Sequence, residues 1–186
     1  ETYFKWKEKI TGRDILGISK DNSDLIIQYV LDMEEGINIA QGSVKGSRSY
    51  SRLLLLKHRM AFFSRRFKDG YNLDNITKIK EEQLISFFSN LKKGIIKRED
   101  GQEFKSTETY AKIFKAFWHW WIKINKKKGV EVSDITTDLD TKQEKPDWVY
   151  LTEEQVRKLC DNAKYKYKVL IMFLFDTGIR SPTELV

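Results

Sequence analysis

Apolar residues recur along most of this chain at intervals of three and four, the spacing of a helix that buries one stripe. Between Ser49 and Lys68 the positions Leu53, Leu56, Met60, Phe63 and Phe67 follow that rule and predict a long, half-buried helix that Gly70 should stop. An earlier helix is predicted to start at Ser23 or Asp24, either of which can cap it, and to run to Glu35. Its apolar face is Leu25, Ile26, Tyr29, Val30 and Met33, and Gly36 ends it. The segment from Asn38 to Ser47 is a Gly- and Ser-rich loop. A third helix is expected over residues 80–93, with Leu84, Phe88, Leu91 and Ile95 in phase. After a polar turn at 97–104, a fourth is expected over 106–127, with Ser106 as its cap. Tyr110, Ile113, Phe114, Phe117, Trp121 and Ile124 form its inner face.

From Gly129 to Tyr150 the periodicity is lost; the segment is acidic, carries Pro146, and reads as a linker. Thr152 with Gln155 three residues later is a capping box that opens a short helix to about Asn162. Residues 167–176 read as an apolar, buried helix closed by Gly178. Residues 1–20 have no clear period and read as an arm. The organisation expected is therefore an arm (1–20), a helical domain (21–128), a linker (129–150) and the start of a second unit (151–186), mainly α throughout. Glu at position 1 and an apolar pattern running into Val186 suggest that a longer protein extends past both ends.

Charge changes the picture. The 186 residues carry a formal net charge of +7, but residues 1–128 hold +10 and residues 129–186 hold −3. The positive potential belongs to the helical domain, and basic surfaces favour polyanions such as nucleic acid. One cysteine, Cys160, excludes an internal disulfide and fits a cytoplasmic setting. One cysteine and two histidines cannot supply an ordinary zinc site, so no metal is expected. The longest apolar run, Val169 to Phe175, is too short to span a bilayer.

The sharpest local signal is Thr177-Gly178-Ile179-Arg180-Ser181-Pro182-Thr183-Glu184-Leu185. Gly178 can close the preceding helix in a left-handed conformation, Ser181 is a good N-cap, and Pro182 suits a first helical position. Arg180 is held at the corner, where a fixed guanidinium can grip a phosphate with two parallel hydrogen bonds. Taken alone, the same corner also reads as a plain helix junction whose arginine is solvated or paired with Glu184.

The segment resembles the tyrosine recombinase (phage integrase) family at its first catalytic arginine, where the family shows Thr-Gly-x-Arg-x-x-Glu-Leu after an apolar helix. Thr177, Gly178, Arg180, Glu184 and Leu185 correspond in residue type, and Arg180-Ser181-Pro182 looks most like archaeal members. Upstream, Leu151-Thr152-Glu153-Glu154 with Val156 and Leu159 resembles the opening of the family's catalytic domain. The linker and basic helical domain before it are similar to the family's SAM-like core-binding bundle of four to five helices. The similarity covers roughly residues 20–186.

That resemblance implies a site-specific recombinase that breaks and rejoins duplex DNA through a 3′-phosphotyrosine, as a tetramer and without metal or nucleotide cofactor. Arg180 would bind the scissile phosphate and Glu184 would support it. The family's other catalytic groups, including its tyrosine nucleophile, follow the arginine motif. None of the eight tyrosines here is therefore assigned as nucleophile, and this chain is expected to recognise DNA without cleaving it. His58 and His119 lie in the earlier domain and are not assigned to catalysis.

The resemblance also implies that the second and fourth helices face the major groove. The candidate DNA contacts are then Lys45, Arg48, Ser49, Tyr50, Arg52 and Arg59, with Lys105, Thr107, Thr109, Lys112 and Lys115. The bland reading of the same residues is the solvated faces of amphipathic helices. The cluster Phe117, Trp118, Trp120 and Trp121 is weighed as core packing over base stacking, with Trp118 or Trp120 expected at the surface. Two other functions stay open at this level: a non-enzymatic helical DNA regulator or architectural protein, and a helical protein-interaction module.

Overall fold

A computed structural model describes residues 2–9, 14–37, 46–142 and 150–178. Among these residues the secondary structure is helical, and one isolated antiparallel bridge, Lys97 with Glu103, is the nearest approach to a strand. The chain divides into two compact units, Glu1–Gln143 and Glu144–Val186.

The first unit contains α1 (Tyr3–Lys9), α2 (Lys20–Glu34), α3 (Tyr50–Tyr71), a 3₁₀ turn (Ile76–Lys78), α4 (Glu81–Lys92) and α5 (Thr107–Lys127). Side-chain caps set several of the boundaries. Ser19, not Ser23 or Asp24, starts α2: its oxygen accepts from the Asn22 amide at 3.2 Å, and its hydroxyl donates to the Asp74 carbonyl. Ser23 is fully buried and accepts from the Ile15 amide instead. Ser49, where the sequence predicts the helix to begin, caps α3 by accepting from the Arg52 amide.

Gly70 does not stop α3. The helix continues to Tyr71, and Asn72 closes it in the left-handed conformation (φ 53°). One helical glycine costs about 1 kcal/mol. That cost is met by Phe67, fully buried one turn earlier, and by the Tyr71 hydroxyl, which donates to the Gln83 carbonyl at 3.0 Å.

The core is aromatic. Phe63, fully buried on α3, contacts Phe67, Phe87, Phe88, Tyr110 and Phe114, mostly edge to face. Phe117 and Trp120 of α5 then meet Tyr29 of α2. Neither Trp118 nor Trp120 reaches the surface, contrary to the sequence expectation. Both are buried because both indole N–H groups find acceptors inside: Trp120 donates to Asp32 Oδ2 at 2.7 Å and Trp118 to the Ser133 carbonyl at 3.0 Å.

Two further departures concern segments with no helical pattern. The arm contains α1, which buries Tyr3 and Trp6 against the bundle. The first part of the expected linker is a strap: Thr136 and Leu139 are buried, and Val132 and Ile135 pack partly into the same core. Residues 130–142 thus belong to the first unit, joined by side chains of α4 and α5.

The second unit is α6 (Glu153–Asn162) and α7 (Tyr165–Thr177). Thr152 and Gln155 form the predicted capping box, at 2.9 and 3.3 Å. Gly178 closes α7 at φ 64°, with its N–H on the Leu174 carbonyl. The expected burial of α7 is not observed: none of its residues is buried, and Val169, Leu170, Met172, Phe173 and Phe175 are each at least 40% exposed. Among the described residues of this unit α6 alone flanks it, and a helix that is apolar on every side needs partners on every side.

Truncation at the centre of the aromatic core measures how far the first unit depends on it. Phe63→Ala is expected to lower its stability by about 3–5 kcal/mol in urea denaturation. A loss below about 1 kcal/mol would contradict the central position given to this ring.

Candidate nucleic-acid interface

The candidate contacts at the start of α3 have distinct environments. Tyr50 and Arg52 are exposed, while Arg48 is half-buried and its backbone N–H donates to the Met33 carbonyl at 3.1 Å, tying the approach to α2. The Ser49 oxygen accepts from the Arg52 amide at 3.4 Å, so its role here is capping. Tyr50 is pinned by neighbours. Its ring stacks on Tyr3 with centroids 5.5 Å apart, and Phe4 lies 4.5 Å from it. Lys45 lies outside the described residues.

Arg59 is inward rather than free-standing. Its guanidinium lies 3.8 Å from the Tyr110 ring centroid and donates to the Tyr110 hydroxyl. Its Nε is buried without a hydrogen-bond partner, and burial pulls the guanidinium below its ordinary range. A stacked guanidinium of this kind fastens α3 to the first turn of α5. Arg66, on the same stripe of α3, donates to the Lys97 carbonyl at 2.8 Å, which fixes the turn that leads into α5.

At the start of α5, Lys105 and Lys112 are exposed and Thr107 and Thr109 half-buried. Ser106 does not cap this helix. It sits in the left-handed region (φ 56°), and an N-cap needs extended backbone to place its oxygen over the first amides. Its side chain makes no cap hydrogen bond at the positive end of α5, and two exposed lysines flank it. Lys115 is committed elsewhere: its Nζ donates to the Thr136 carbonyl of the strap at 3.1 Å. His119, next on that face, pairs with Asp134 at 2.9 Å.

The structure brings the arginine stripe of α3 beside the start of α5, while Lys112, two residues after Tyr110, projects from the other side of that helix. Arg52 and Arg59 are seven residues apart, nearly in phase on α3 and about 10 Å apart along it. Since Arg59 touches Tyr110, the first turn of α5 lies beside that stripe. Arg52, Lys105 and Lys112 are the exposed cations of the set, while Arg59 and Lys115 hold the scaffold. Among the described residues no group of three or more His, Cys, Asp or Glu could hold a metal ion, and no helix is long and apolar enough to cross a membrane. Arg180 and Glu184 lie outside the described residues.

No protein-family model, curated protein or solved structure matches the chain.

Sequence reasoning missed α1 and the strap, although α1 left a trace in the sequence. Tyr3 and Trp6 stand three apart, one helical turn of aromatic residues in a segment otherwise full of Lys and Glu. Lys7 of α1 also reaches Glu34 of α2 at 2.7 Å, and Tyr3 donates to the same carboxylate at 2.9 Å.

Two carboxylates carry a pH signature. The hydrogen bond from Lys7 holds Glu34 below the usual carboxylate range, against a smaller opposing effect of burial. At Asp134 burial raises the carboxyl, but hydrogen bonds from Thr136 and His119 together outweigh it and hold it low. A carboxyl depressed in the folded state stabilises fully above its unfolded value, about 4, and loses that contribution as pH falls through the folded value. The first unit is therefore expected to lose stability steadily below about pH 4. In acid-titrated thermal melts, Glu34→Gln and Asp134→Asn should each flatten that loss, and slopes identical to the parent's would refute these two assignments.

Proposed function

We propose that this chain is the DNA-recognition portion of a tyrosine-type site-specific recombinase: a SAM-like core-binding bundle followed by the opening of a catalytic domain. The observation that carries the reading is Thr177-Gly178-Ile179-Arg180 with Glu184-Leu185, placed after a basic helical unit and a capped helix at Thr152. The left-handed Gly178 that closes α7 supports it, since the turn that this motif requires begins there. Glu184 follows Arg180 by four residues, one more than in the family pattern, so its supporting role rests on residue type.

Duplex DNA is the partner in this reading, gripped by Arg52, Lys105 and Lys112 with Arg48, Tyr50, Thr107 and Thr109 beside them. Arg180 would clamp the scissile phosphate, where two parallel N–H donors offset charge developing in the transition state. The parent would act as a tetramer in the cytoplasm and conserve the bond energy in its phosphotyrosine, which requires no cofactor.

Binding of a labelled duplex, followed by anisotropy between 50 and 200 mM salt, tests the reading. Affinity should fall log-linearly with salt, and Arg52→Ala and Lys112→Ala should each reduce the slope by about 0.9, one phosphate apiece. Lys115→Ala should leave the slope unchanged. A chain that binds no duplex at 50 mM salt, or binds with a flat salt dependence, is not a DNA-recognition unit.

A further inference from the structure

Helix α1 brings three rings together at the start of α3. Tyr3 is buried, and its ring centroid lies 5.5 Å from that of Tyr50, with the planes 16° apart. Phe4 lies 4.5 Å from Tyr50 at 60°, and 6.2 Å from Tyr3. These spacings make the centroids a compact triangle, so Tyr3 and Phe4 sit on adjacent sides of Tyr50 and not against its two faces. Both outer rings stay accessible, Phe4 at 54% exposure and Tyr50 at 49%. The group is anchored from behind. The Tyr3 hydroxyl donates to Glu34 at 2.9 Å, and Lys7 reaches the same carboxylate oxygen at 2.7 Å. Buried Lys57 of α3 places its Nζ 4.9 Å from the Trp6 ring centroid, which fastens the other end of α1. The exposed rings are therefore set in position before any ligand arrives.

The charge around them is largely of one sign. No Asp or Glu stands between Glu35 and Asp69, a run that holds eight Lys and Arg. Helix α1 adds three lysines against one glutamate, and Lys5, next to Phe4, is exposed. Accessible rings among cations are the combination by which proteins hold unpaired nucleotides: the cations take phosphates, and the rings take base faces that a closed duplex keeps inside its own stack. We propose that Phe4 and Tyr50 form a stacking platform for one unpaired base of bound DNA. The inference rests on the proposed DNA binding and adds to it a preference for a duplex that is open at one point. A fully paired duplex engages the cations alone. Taking a base out of the stack is least costly where its partner is already mismatched, so the platform selects such sites.

Anisotropy at about 100 mM salt, where phosphate contacts still hold, compares a perfect duplex with the same duplex carrying a central bubble of about four mismatched pairs. The whole chain should bind the bubble about tenfold more tightly, as the stacking of one base on a ring provides. Phe4→Leu keeps apolar bulk and removes the ring. It should cut the preference to below about threefold and leave affinity for the perfect duplex unchanged, since paired bases do not reach the platform. Phe4→Trp, with a larger ring, should keep or raise the preference, and Tyr50→Leu should lower it. A 2-aminopurine in the bubble should be quenched on binding the parent and not on binding Phe4→Leu. Equal affinity of the parent for bubble and duplex would overturn the platform and leave DNA binding intact. So would a preference that both leucine variants retain. Self-association of the parent that Phe4→Leu abolishes would assign the pair to a protein contact and overturn the platform as well. No binding to either DNA would remove the DNA-binding reading itself, and the platform with it.

Discussion

The placement of α5 against α3 is the constraint on which the remainder of the first unit depends. It is set by rings: Phe63 and Phe67 on one helix, Tyr110 and Phe114 on the other, with Phe87 closing the group from α4. Edge-to-face packing of buried rings is specific as well as favourable, because sliding one helix opens a cavity and loses the geometry of several pairs together. The start of α5 inherits that rigidity. Lys105 and Lys112 sit at the start of a packed helix, and a site built on packed helices is more sharply defined than one carried on loops.

The same seam explains why α5 can bury so many aromatic residues. A helix that packs on one side hides one stripe, whereas Phe117, Trp118 and Trp120 are all buried. They can be because α5 is covered from two directions. Trp120 turns toward α2, where Asp32 takes its N–H, and Trp118 turns toward the strap, where Ser133 does. Without the strap, Trp118 would lose its acceptor and its cover. The strap is therefore part of the fold before it can be part of any function.

The legibility of the fold in the sequence follows from that covering. Helices α2 to α5 were readable because each has a buried stripe at intervals of three and four, and their ends moved only where a cap competed, as Ser19 did with Ser23. Short α1 left only one pair of buried residues one turn apart, Tyr3 and Trp6, too few to make a periodic pattern. The strap was unreadable because it packs through isolated residues, Thr136 and Leu139, in extended chain with no repeat of its own. Helix α7 misled in the opposite direction, since apolar composition reports what a helix could bury and says nothing of whether a partner is at hand. For the candidate interface, residue type identified the cations but not their partners. Arg59 and Lys115 look like Arg52 and Lys112 in sequence, and only packing separates a guanidinium lying over Tyr110 from one exposed at the surface.

That separation governs what net charge can mean for this chain. A sum of +10 over residues 1–128 describes an average field, and a phosphate responds to the field at contact. Arg59 contributes to that field from beneath the surface, stacked and partly desolvated, where it strengthens the attraction without offering a free fork of donors. Lys115 keeps its charge but commits a donor to a carbonyl of the strap, and His119 is paired with a carboxylate there. The exposed cations of the candidate set are thus fewer than the sequence suggests: Arg52, Lys105 and Lys112. A basic protein with charge spread evenly binds any polyanion in many orientations. One whose cations are divided into exposed and packed sets presents a direction, and direction is what a DNA-recognition unit needs if it is to set another part of the same chain on a particular phosphate.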